Sequence, residues 1–178
     1  MAIILGHVCD FKTGQEWRVC RKNSIAAEHV VFYMNQDSPK KSLLFRKAEI
    51  DAMLEAPSAQ GKHMLEPLQR IAIANNLPFN IIELSAHTNK VEVHTYISDV
   101  WFCLEGEVKF LCGGVMQEPH TRVRSDGTLD ETEMRAKGLK DAEEIIMKPG
   151  DWLWIPAGKP HQHMTEKTAR LMIIKVPR

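Results

Sequence analysis

Val91-Glu-Val-His-Thr-Tyr-Ile-Ser-Asp-Val-Trp-Phe-Cys-Leu-Glu-Gly106 is the stretch on which the fold turns. Alternate residues of a strand share a face, so Glu92 and His94 point the same way, with Tyr96 following them if the strand runs that far. Asp99 stands at the head of the next apolar strand, Val100–Leu104, and Gly106 marks the turn that ends it. Polar side chains on one face and valines on the other are the mark of a sheet whose interior holds functional groups.

Working outward, short segments separated by turn signals run from about Arg70 to the end, the texture of an all-β sandwich or barrel. Candidate strands are 70–74, 79–84, 91–96, 100–104, 108–111, 144–147, 151–155 and 169–176. The polar stretch 117–144 is too charged for a core, and Leu129 to Lys137 within it reads as a short helix. Upstream, Ser38-Pro39 is a helix-start signal, and Leu43, Leu44, Ala48, Met53 and Leu54 recur at helical spacing until Pro57. Before that helix, Glu28 to Met34 is β-branched and aromatic enough for a strand. The expectation is one domain, with strands and a helix in residues 1–61 packed on a β-barrel of residues 62–178.

Composition narrows the partners. The chain has 178 residues with 23 basic and 23 acidic side chains, so no net field draws nucleic acid or an anionic membrane. No stretch approaches membrane-spanning length. Cys9, Cys20, Cys103 and Cys112 are scattered without a CxxC pair, which fits a reducing, cytoplasmic setting. Neither nucleic acid nor membrane is expected as a partner.

A second segment joins the first. Gly150-x5-Pro156-x-Gly158-x2-His161 combines a turn, an aromatic-rich strand, a proline-glycine corner and a histidine, while the upstream pattern is Glu92-x-His94-x4-Asp99-x6-Gly106. Two distant segments are thus each built to present a ligand. Together they resemble the paired motifs of the cupin family, whose first motif usually reads His-x-His, three or four residues, Glu, six residues, Gly. The resemblance covers roughly residues 84 to 165, with a long segment between the motifs. It places Glu92 at the first histidine, His94 at the second and Asp99 at the glutamate, and Thr165 stands where the fuller second motif has asparagine. Taking His94 as the first histidine instead puts Tyr96 at the second and misses the spacing to Asp99 by one residue.

The resemblance implies an antiparallel double-stranded β-helix, a jelly-roll barrel. It also implies one divalent metal ion, Fe, Mn, Zn or Ni, held by Glu92, His94, Asp99 and His161. Imidazole nitrogen and carboxylate oxygen are sound ligands for such ions, and two carboxylates favour the harder ones. Against this stands the lesser reading that replacement of a histidine and a glutamate records loss of the ion while the barrel survives. Tyr96 and His163 are candidates for moving a proton on a bound small molecule. Trp101, Cys103 and either Trp152 or Trp154 are expected to form an aromatic wall. His7, His29, His63, His87 and His120 have no spacing to recommend them. The implied function is a metal-dependent enzyme on a small molecule, a dioxygenase or an isomerase or lyase, and the alternative is a non-catalytic binding or regulatory module. Such barrels commonly pair, and an N-terminal strand edge makes a homodimer the expected assembly.

Overall fold

The computed structural model describes residues 42–178. The expected strand at 28–34, the Ser38-Pro39 helix start, Cys9, Cys20, His7 and His29 lie outside the described residues. In chain order the elements are α1 (Lys47–Leu54), β1 (Gly61–Met64), α2 (Leu68–Asn75), β2 (Phe79–Thr88), β3 (Val91–His94), β4 (Ile97–Glu105) and β5 (Val108–Cys112). They continue through β6 (Val115–Gln117), β7 (His120–Val123), β8 (Leu129–Ala136), β9 (Gly138–Lys140), β10 (Glu143–Met147), β11 (Trp152–Ile155) and β12 (His161–Pro177). Every strand pairing is antiparallel, and the fold is an all-β jelly roll.

The organising element is β12, a strand of 17 residues. Its first part pairs with β5 and, at His161, with β3. Its later part lies between β2 and β4. The path β1-β2-β12-β3-β8-β7 forms one flank, while β11 joins β4 and β10 joins β5. The turn between β4 and β5 requires glycine. Gly106 has φ of 74°, and a Cβ there would come within 2.2 Å of the Thr168 carbonyl oxygen.

Alternation along the strands builds the core. Ile82 and Leu84 of β2 pack with Trp101, Cys103, Val108, Phe110, Met147, Ile155, Leu171 and Ile173. Ile81, on the other face of β2, is buried under Met53, Leu65 and Leu68, so the helices cover the sheet from outside. Among the described residues, no helix is long and apolar enough to cross a membrane.

Three local expectations change. Residues 70–74 are helical, because Leu68 and Ala72 bury one helical face one turn apart and Asn76 stops the helix in the left-handed region at φ 49°. Leu129–Ala136 is a strand, because β3 needs a partner on its second edge and β8 supplies it from Val91↔Ala136 to His94↔Glu133. The helix expected from residue 39 is confined, within the described residues, to Lys47–Leu54.

Candidate metal centre

The register of two strands creates the site. His161 of β12 is the direct cross-strand partner of Glu92 of β3. Gly158 reinforces that pairing by donating its backbone N–H to the His94 carbonyl at 2.8 Å. As a result Glu92, His94 and His161 each offer one ligand atom, all within 4.8 Å of one another, a grouping able to hold a metal ion. Glu92 Oε1 lies 3.4 Å from His161 Nε2. Asp99, 1% exposed, places Oδ2 at 3.5 Å from His161 Nε2 and 3.6 Å from His94 Nε2.

The histidine rings are oriented from behind. His161 Nδ1 faces the Lys159 carbonyl at 3.2 Å, which turns Nε2 toward the carboxylates. His94 Nδ1 faces Glu133 at 3.7 Å. Glu133 is itself held by Arg122 at 2.6 Å and by Arg135, and Arg135 also pairs with Glu92 at 3.0 Å. Lys175 enters from β12, donating from Nζ to Asp99 Oδ1 at 2.7 Å and to His94 Nε2 at 3.1 Å.

This charge pattern sets the protonation states. Burial and the Lys175 ammonium lower the His94 pKa, leaving a neutral ring whose Nε2 accepts a hydrogen bond from the lysine ammonium. Burial works against a charge on His161 too, but the facing Asp99 and Glu92 carboxylates outweigh it and lift His161 to about 9. Burial likewise opposes the charges of Glu92 and Asp99. Nevertheless His161, joined by Lys62 at Glu92 and by Lys175 at Asp99, holds both below the usual carboxylate range.

The residues fit a divalent ion on a direct observation. His161 Nε2 and Asp99 Oδ2 are buried polar atoms with no hydrogen-bond partner, facing each other across 3.5 Å. They meet only as an ion pair without hydrogen-bond geometry, and a divalent cation taking the place of the imidazolium proton would be ligated by both.

The structure sets the other expected groups apart. Tyr96 follows the end of β3 in a bend and is 48% exposed. His163 is fully buried with its ring 5.2 Å from Trp101 and 5.6 Å from Phe110, and burial drives its pKa down to about 3. Trp101 and Cys103 belong to the core, not to a pocket wall. Trp152 and Trp154 face outward, 61% and 54% exposed, and Trp152 stacks on Phe102 at 4.4 Å. Sequence reasoning missed Glu133, Arg135 and Lys175. The signal for Lys175 was its place on the inward face of an apolar strand, two residues after Ile173.

No protein-family model matches the chain, and neither does any curated protein. Solved structures similar to it include the cupin domain of CENP-C from Drosophila melanogaster, at 12% identity and a TM-score of 0.39 over 55% of this chain and 56% of that one. A sugar phosphate isomerase from a cupin superfamily of Silicibacter pomeroyi matches at 17% identity and a TM-score of 0.41, over 66% and 60% of the two chains. A predicted oxalate decarboxylase from Thermotoga maritima matches at 13% and 0.43, over 66% and 81%. The chain thus spans little more than half the length of the Drosophila structure.

Proposed function

We propose that this chain is a cupin-like, divalent-metal-dependent enzyme acting on a small molecule. The observation that supports the reading is the convergence of Glu92, His94 and His161, with Asp99 beside them, where His161 Nε2 and Asp99 Oδ2 are buried and make no hydrogen bond. Glu92, His94, Asp99 and His161 would hold the ion, and Fe, Mn, Zn and Ni all suit such donors. Bound there, the metal would supply Lewis acidity toward a substrate oxygen, or a redox centre in the case of iron. The chain's own residues do the rest: the Lys159 carbonyl orients the His161 ring, and Glu133 and Arg135 brace the β3 ligands.

Elemental mass spectrometry of protein grown with added metals tests this. About one equivalent of a transition metal per chain is expected, falling below about a tenth in E92Q/H161A. Below a tenth in the wild type sinks the reading. Oxygen uptake with a catechol or diketone then separates dioxygenase from isomerase or lyase chemistry.

A second reading has its own support. Lys175 already places a cation between His94 and Asp99, which is what a non-catalytic barrel with an internal ion pair in place of the metal would show. We retain a homodimer and a cytoplasmic setting as part of the proposal. The exposed Trp152 and Trp154 on the outer face of β11 are an apolar surface suited to pairing, and sedimentation of W152S/W154S checks the dimer.

A further inference from the structure

A cavity of about 550 Å³ adjoins the cluster, within the size range of small-molecule sites. Its wall includes Lys62, Lys90, Arg122 and Arg135 and contains no carboxylate. Arg122 and Arg135 are partly committed to Glu133 and Glu92. Among the described residues, neither Lys62 nor Lys90 has a carboxylate within ion-pair distance.

Asn89 adds a fixed donor. Its backbone N–H donates to the His163 carbonyl at 2.9 Å, and its carbonyl accepts from Gln162 Nε2 at 2.7 Å. Its side-chain oxygen accepts from Lys62 Nζ at 3.4 Å, which sets the orientation of the amide. The remaining group, Nδ2, has no partner although the residue is only 9% exposed and lines the cavity. His87, another wall residue, likewise has its Nε2 buried and without a partner.

We infer that this cavity binds a small organic dianion, a phosphate ester or a dicarboxylate, with Lys62, Lys90, Arg122 and Arg135 around its oxygens and Asn89 Nδ2 donating to one of them. Planar guanidinium forks and ammonium groups match such oxyanions in charge and geometry. The half-open concavity is of small-molecule size, and the chain's zero net charge gives no field to draw a nucleic acid. Lys62 behaves as a cation short of counter-charge: crowding by protein atoms lowers its pKa, Glu92 only partly offsets this, and Arg135 and Lys175 add to the lowering. Because Arg135 touches both the cavity and Glu92, the dianion is the substrate class of the metal centre proposed above, and that catalytic meaning rests on the metal reading.

The test uses the whole 178-residue chain stripped of metal, titrated calorimetrically at low ionic strength with inorganic phosphate and with malonate. Saturable one-to-one binding of at least one dianion is expected, weakened by about tenfold or more in K62M/K90Q and within about twofold of wild type in K148Q. Lys148 is an exposed lysine outside the cavity wall, so it controls for the loss of charge alone. Tighter phosphate supports a phosphate ester, and tighter malonate a dicarboxylate. No saturation with either anion, or equal weakening in K148Q, overturns the inference. Mn(II) binding, followed separately by electron paramagnetic resonance, divides the two claims. Anion binding without Mn(II) binding removes the metal reading alone, and the reverse removes only the dianion.

Discussion

At Lys175 one side chain serves two states of the site. It is the cross-strand partner of Asp99, and its ammonium neutralises a carboxylate that is otherwise buried. The proposed metal would compete with the lysine for His94 Nε2, the ring nitrogen that faces Asp99. K175M is therefore expected to destabilise the metal-free protein by about 1–3 kcal/mol, less than the full cost of stranding a buried charge because His161 still faces Asp99. Added Mn(II) should restore the loss, because an ion that binds only the folded state stabilises it. Urea unfolding with and without metal measures both effects, and a K175M protein that metal does not rescue counts against the site. The thiols of Cys103 and Cys112 behave differently. Burial pushes each up to about 11 from an ordinary value near 9. A raised folded pKa contributes stability that is present below pH 9 and is lost as pH rises through 11. At pH 9 both should resist iodoacetamide in the folded chain and react in urea, which peptide mass spectrometry resolves residue by residue.

Among the elements, β12 carries the greatest share of the structure, and Arg170 shows how. Its guanidinium pairs with its cross-strand neighbour Glu83 at 2.7 Å, reaches Glu105 at 3.0 Å, and donates to the carbonyls of Leu54 and Ala56 at the end of α1. The Leu54 carbonyl is one of the acceptors the helix leaves open at its C-terminus, and Ala56 lies just past the cap at Glu55. R170M should cost roughly 3–5 kcal/mol in urea unfolding, because it strands Glu83, which is 2% exposed, as a buried unpaired charge. R170K should recover only part of this, since an ammonium lacks the fork. Legibility followed the same physics. β3 and β4 could be read directly, because valines alternate with Glu92 and His94 and because Gly106 ends the pair. β8 could not. Glu131, Glu133 and Arg135 look like a solvated helix until β3 supplies the cross-strand partner that makes their alternation meaningful. Arg70 to Ala74 misled in the opposite sense, since two isoleucines two apart imitate a strand where burial follows Leu68 and Ala72.

Across the whole molecule, the candidate metal centre forms only because the topology brings β12 back beside β3. His161 meets Glu92 through β12–β3 pairing, and no local pattern specifies that register. The paired motifs indicated which residues would face inward. They did not reveal the lysine and arginine counter-ions, which depend on strands far apart in sequence. A bound ion would therefore join the first part of β12 to β3 at the point where only one residue pair links them. Metal should stabilise the fold as a whole, by about 4 kcal/mol when its concentration exceeds the dissociation constant a thousandfold. Thermal melts in Mn(II) and in EDTA read this directly. H163F and Y96F should keep the full metal-dependent shift, as the first is a core ring and the second lies on an exposed bend. H161A should lose the shift, since it removes the only candidate ligand that β12 contributes to the Glu92–His94–His161 group. An equal shift in H161A and wild type would mean that the ion binds elsewhere on the chain.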